Sequence, residues 1–272
     1  MINKTTLTDT SQSLTQRLSN ISNRLYNFIP PARNLLIHAV AQVRILKKAY
    51  PGIMHLLIFW GVLIQVLGTS INLMQMQLFI PFVELPFPRG NAYLAYELIM
   101  DLAGAAILLG VALAAFRRAI LRPKSLQTRW DDVFALTLLT LIPLVGFTNE
   151  SMRLISANPP WSAWSPIGNA LANLFKSLGL SPELAAQLHP YLFWTHAALG
   201  LIMVASIPFT KLRHLVFAPL NILLKPARKE SVLEKIENIE EVETLGVGKI
   251  NEFTPIQLLS FESCVNCGRC EE

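Results

Sequence analysis

The stretch HPYLFWTHAALGLIMVASIPFTKLRH, residues 189–214, decides the fold. Its centre, Tyr191–Phe209, is apolar for nearly the length that crosses about 30 Å of hydrocarbon at ~1.5 Å per residue. Yet it holds His196 in its outer part and His214 just past its inner end. The separation of 18 residues is five whole turns, so a straight helix would set both imidazoles on one face, about 27 Å apart. Pro208 is expected to bend that helix. A histidine in an apolar span is costly unless partnered, and is a functional candidate for that reason.

Three further apolar runs accompany it: Ile53–Met74, Tyr93–Phe116 and Val133–Glu150. Charged residues are 15% of the chain against 52% hydrophobic, where a soluble domain carries about 25% charge. The expected fold is an all-α integral membrane protein, a bundle of four transmembrane helices. No run has the layout of a secretory signal, since the first begins past residue 50 without a small-residue cleavage site after it.

Lys and Arg fix the expected orientation. Residues 1–52 hold seven, 117–130 five and the tail from 210 eight, against three in the other two loops. This positive-inside pattern puts both termini in the cytoplasm of a bacterial or archaeal cell, with the chain in the cytoplasmic membrane. The net charge of +5 reflects that belt, and no basic stripe with interleaved aromatics suggests nucleic acid.

Along the chain, 1–31 reads as a polar arm. Residues 32–52 read as an amphipathic interfacial helix, with Leu36, Val40, Val43 and Leu46 at helical spacing beside Arg33, Arg44, Lys47 and Lys48. Pro51-Gly52 is expected to break it. In the outer loop 151–188, Ser165-Pro166 and Ser181-Pro182 each look like a helix start, which predicts two short helices lying flat. The first would bury Ile167, Ala170, Leu171, Leu174 and Leu178. Residues 225–260 suit a linker, in which Thr254-Pro255 starts a short helix.

His55 lies at the inner end of the first span, level with His214. Two imidazoles at one depth on different helices can hold a haem iron from both sides; alternatively, interfacial histidines bond headgroups or water. His38 and His189 fit that second description. Glu97 and Asp101 on the second span, with Asn149, Glu150 and Arg153 closing the third, form a polar cluster. It is either a salt-bridge network or a quinone and proton site; Gln65, mid-span, is ambiguous in the same way.

All three cysteines, Cys264, Cys267 and Cys270, are spaced C-x2-C-x2-C near the end, on the reducing side of the membrane. That spacing opens a [4Fe-4S] run, although the continuation to a fourth cysteine is absent from these residues. Zinc is the weaker alternative, because no fourth His or Cys is near.

Several stretches together resemble a family: LLIHAVAQVRILKKAYPGIMHLLIFWGVLI (35–64), YELIMDLAG (96–104), VGFTNESMRL (145–154), WSPIGNAL (164–171), HAALGLIMVASIPFTKLRHLVFAPLN (196–221) and LGVGKINEFTPIQLLSFESCVNCGRC (245–270). They resemble the membrane-bound iron–sulfur oxidoreductases related to heterodisulfide reductase. Within that group they are most similar to the electron-transfer-flavoprotein:menaquinone oxidoreductases. The resemblance implies a nitrate reductase gamma-like haem b domain over 53–224 and the start of a ferredoxin-type domain at 261–272. It implies His55 and His214 as ligands of an inner haem and His196 as one ligand of an outer haem. The position matching the outer partner is Gln65, so one haem is expected, and two remain open if His189 or His38 takes that partner's place. The family continues to a fourth cysteine, which makes the chain read as a truncated piece or a split subunit. The implied function is electron transfer between a cytoplasmic flavoprotein or iron–sulfur donor and menaquinone, with Glu97, Asp101 and Glu150 as candidate quinone or proton groups. Two other classes stay open: a cytochrome b-type anchor without quinone chemistry, and a non-redox transport or scaffold protein.

Overall fold

The computed structural model describes residues 31–83, 88–124, 126–224 and 247–265. The described elements are helical throughout: α1 (Ala49–Met74), α2 (Asn91–Phe116), α3 (Trp130–Ala157), α4 (Pro166–Ser177), α5 (Pro182–Ser206), α6 (His214–Leu224) and α7 (Pro255–Glu262). Wide π-type turns extend α1 over Gln75–Val83 and α2 over Arg117–Leu121. Four helices are long and apolar enough to cross a membrane: Ala49–Phe82, Asn91–Leu121, Trp130–Ala157 and Pro182–Phe209. The expected four-span bundle is therefore the fold.

The chain forms two compact units. Ile45–Leu212 is one; the described parts of 1–44 and 213–265 belong to the other. In the first, α1 packs along α2, α3 along α5, and α2 joins the pairs through α3. The α1–α2 seam is close because glycines line it. A Cβ on Gly61 would fall 2.5 Å from Ile107 Cγ1 and 2.9 Å from the Ala103 carbonyl oxygen, and one on Gly110 would fall 2.7 Å from Ile58 Cγ1. Small residues at such seams let backbones approach, which is how helices associate where lipid removes the hydrophobic drive.

Large side chains point outward instead: Leu109, Leu201, Val204 and Trp194 are all mostly exposed, a surface suited to acyl chains. The main buried cluster lies at one end, where Met152, Leu154, Ile155, Ala172 and Ala185 pack with Trp161, Phe175, Leu180 and Leu192.

Four expectations change. Pro51-Gly52 does not break a helix; it sits in the first turn of α1, where a missing N–H costs nothing. The break comes earlier, at residues 41–48, where Gln42 adopts a left-handed φ of 52°. Gly52 accommodates that turn, since a Cβ there would lie 2.9 Å from Ile45 O.

Ser181-Pro182 begins no separate short helix. It starts α5 itself, with the Ser181 hydroxyl accepting from Leu184 N–H. The face of α4 is also shifted: Gly168 and Ala172 are buried and Ile167 and Leu171 half-buried, while Ala170, Leu174 and Leu178 are exposed. Small residues bring α4 against the bundle mouth, and Phe175 packs into the buried cluster beside them.

Finally, the straight path from His196 to His214 is interrupted. α5 ends at Ser206, a 3₁₀ turn spans Ile207–Phe209, and Thr210 is extended at φ −128° and ψ 178°. Pro208 has no N–H to continue the helix. His214 begins α6, so no single straight helix carries both imidazoles.

In that second unit α6 packs on α7 and on the π turn Leu36–Val40. Thr254 caps α7 as expected, accepting from Gln257 N–H at 3.3 Å while Gln257 Oε1 accepts from Thr254 N–H at 2.9 Å. Arg213 pairs with Glu262 at 2.8 Å.

Candidate functional site

The histidine in the fourth span has a built seat. His196 lies on α5 against α3, with Nδ1 3.0 Å from the Ile142 carbonyl oxygen. A carbonyl can only accept, so the hydrogen bond puts the ring proton on Nδ1 and leaves the Nε2 lone pair unspent. The ring lies over Gly146, where a Cβ would come within 3.0 Å of Cε1 and 3.3 Å of Nδ1. A backbone carbonyl holding one ring nitrogen while the other keeps its lone pair is the usual arrangement of a metal-ligating imidazole.

Gln65 is committed elsewhere. Its Nε2 donates to the Met100 carbonyl at 2.8 Å, tying α1 to α2 in the middle of the membrane. The amide lies beside Gly104, where a Cβ would fall 3.4 Å from Nε2 and 2.8 Å from Phe147 Cζ.

The far end of the bundle holds the polar cluster, and Arg153 organises it. Its Nη2 donates to Glu150 Oε1 at 2.6 Å and to both oxygens of Glu97 at 3.0 and 3.1 Å, while Nε reaches Glu150 Oε2 at 2.9 Å. Tyr93 Oη lies 3.2 Å from Nη1, and the guanidinium sits 4.7 Å from the centroid of the Trp161 ring. Ser165 donates to Glu97 at 3.2 Å.

Asp101 takes no part in the arginine pairing. Its carboxylate accepts from the backbone N–H groups of Ile167 and Gly168 at 2.9 and 3.0 Å. It thus caps α4 from another helix, the task that the sequence suggested for Ser165. Asn149 stands outside the network, its Oδ1 buried without a hydrogen-bond partner.

At the opposite end a second hub escaped the sequence reading. Asp132 accepts from Arg118 at 2.9 Å, from Lys211 at 2.8 Å and from its own first turn, Arg129 N–H, at 2.9 Å. It joins the end of α2, the start of α3 and the segment after α5. An acid in the first turn of α3 was visible as a helix-start signal, but its partner 79 residues away was not.

The remaining candidates lie on other elements. His55 is half-buried in α1 with its ring 6.3 Å from that of Phe59. His214 is half-buried at the start of α6. Cys264 is exposed just after α7, while Cys267 and Cys270 lie outside the described residues. Among the described residues no three His, Cys, Asp or Glu side chains gather as a metal site.

These features define a four-span membrane module with a hydrogen-bonded histidine in its fourth span and a polar far end. Residues 44–229 match the nitrate reductase gamma subunit family, and the chain belongs to it. Among curated proteins it is similar to the EtfAB:quinone oxidoreductase of Syntrophomonas wolfei, 32% identical over 246 residues, covering 87% of this chain and 33% of that protein. It is also similar to the probable iron-sulfur-binding oxidoreductase FadF of Bacillus subtilis, 28% identical over 235 residues, covering 86% of this chain and 32% of that protein. The chain thus spans about a third of the length of these relatives. No solved structure matches it.

Proposed function

We propose that this chain is the haem b membrane module of an oxidoreductase, passing electrons between a cytoplasmic flavoprotein or iron–sulfur donor and the menaquinone pool. The observation that carries this is the His196 seat: an imidazole in an apolar span, its Nδ1 proton donated to Ile142 and its ring cradled on Gly146. The similarity to a protein named as an EtfAB:quinone oxidoreductase supplies the donor and acceptor classes.

Bound haem b supplies one-electron chemistry at its iron, with His55 and His214 as candidate ligands of an inner haem and His196 of an outer one. The protein's part is placement and electrostatics. Glycines in the α1–α2 seam fix the first two spans, and the Asp132 hub ties the segment leading to His214 to α2 and α3. Cys264, Cys267 and Cys270 are the candidate [4Fe-4S] ligands of this chain, on the cytoplasmic side together with both termini.

Quinone reduction takes up two protons with two electrons. Of the three far-end carboxylates, Asp101 has both oxygens engaged by backbone N–H groups, and protonation would release α4. Glu97 is shared by Arg153 and Ser165 and is 8% exposed. Glu150 is the more open of the arginine's two partners, its side chain 23% exposed, and is the group we assign to proton transfer.

The test is a dithionite-reduced spectrum of the purified full chain. A b-type α-band that weakens in His214→Ala and His55→Ala supports the reading. A wild-type chain without that band refutes it.

A further inference from the structure

We infer that His189 is the proton relay of the far-end cluster, carrying protons between water and the Glu150 carboxylate. The inference deepens the reading of Glu150 as the proton-transfer group and rests on it.

The seam between α3 and α5 sets the ring there. The two helices run antiparallel: His196 lies over Gly146, while Ala185, earlier on α5, is buried in one cluster with Leu154 and Ile155, later on α3. Seven residues make two turns with a drift of only about 20°, so a step of seven keeps each helix on the same face. From Gly146 that step reaches Arg153, and from His196 it reaches His189. His189 therefore stands opposite Arg153, which holds both oxygens of Glu150. The charges of Arg153 and Glu150 both act on the imidazole, an independent sign that the three groups are neighbours.

The other titratable groups at this end are engaged or solvated. Glu97 and Tyr93 are bound to Arg153, Tyr96 to the Gly68 carbonyl and Asp101 to the first turn of α4. Glu183, on α5 itself, and Lys176, on α4, are exposed. His189 is half-buried, between the cluster and water.

Both Glu150 oxygens already accept from the guanidinium, so an incoming proton must find a lone pair beside those bonds. Hydronium is scarce at neutral pH, and a tethered imidazolium raises the local concentration of acid. A cation and a carboxylate act on the ring in opposite senses, which suits a group that takes up and gives up a proton in turn. In quinone reduction the His189 imidazolium gives an N–H proton to a Glu150 oxygen, becomes neutral and regains a proton from water. Glu150 passes its proton to a quinone oxygen and returns to carboxylate. Two such transfers accompany the two electrons from the donor and yield quinol; quinol oxidation runs the same steps backward.

The experiment uses the full chain in detergent, haem-loaded, stoichiometrically reduced and mixed with menadione across about pH 5 to 8. His189→Ala should slow haem reoxidation about tenfold at neutral pH and flatten its pH profile, and added imidazole should restore the rate. An unchanged rate overturns the inference. So does a slowed variant that keeps the wild-type profile and ignores imidazole, because that is a structural loss alone. A second measurement needs no quinone: in NMR of the histidine-labelled chain, the His189 titration midpoint should move when Glu150→Gln removes the facing charge, and an unmoved midpoint overturns the relay. A midpoint that moves, in a chain whose haem menadione never reoxidises, overturns the quinone reading alone and leaves the His189–Glu150 exchange standing.

Discussion

Arg153 and Glu97 are 56 residues apart in sequence, yet one guanidinium nitrogen lies 3.0 and 3.1 Å from the two oxygens of that carboxylate. The pair joins α2 to α3 at the far end of the bundle, and Glu150 completes it on the next turn of α3. Removing one member leaves a charge in a site that water reaches poorly. Since a third of Arg153 is exposed, Arg153→Ala should cost roughly 2–3 kcal/mol, short of a fully buried pair. Thermal unfolding in detergent should show the midpoint falling by about 6 °C. Arg153→Lys should recover little, because an ammonium cannot span both carboxylates as the planar fork does.

Asp101 anchors α4 through two charge-assisted hydrogen bonds to Ile167 and Gly168. Asp101→Asn loses the charge and turns an NH2 toward one donor. Amide exchange at those two positions should rise about tenfold, equivalent to ~1.4 kcal/mol. Exchange rates equal to wild type would remove Asp101 from the capping role.

The glycine seam has no slack. At Gly61 a Cβ meets backbone at 2.9 Å as well as the Ile107 side chain, so Gly61→Val must push α1 from α2. The expected cost is about 1–3 kcal/mol, read by the same melting experiment. Gly179, where a Cβ would meet nothing, has φ +91° and would report backbone strain alone, so Gly179→Ala separates crowding from conformation.

Gly146→Ala tests the His196 seat directly. The new methyl would lie 3.0 Å from Cε1, so the ring must shift by a few tenths of an ångström and lengthen its bond to Ile142. The Soret band of the haem-loaded chain should move or weaken. An unaltered band would mean that the ring is not bound there.

Much of this was legible in the residues. Four apolar runs, a charge deficit and the Lys/Arg belt gave a four-span bundle, because chain length, hydrophobic thickness and the cost of burying charge are all local properties. The cap at Thr254 and the start of α5 at Ser181 were also local, since their partners lie three residues away. Asp101 was not legible as a cap, because the N–H groups it serves lie 66 and 67 residues downstream.

The sequence by itself determined that histidines and acids would enter the apolar spans and that they would need partners there. Only tertiary structure decided which partners: Ile142 for His196, Met100 for Gln65, Glu97 and Glu150 for Arg153. Helical periodicity tells which way a side chain points but not what another helix brings to meet it. Nor could it show that the helix stops at Ser206, setting His196 and His214 on separate elements. Where water is excluded, that meeting determines whether a polar group is a strut, a ligand or a cost.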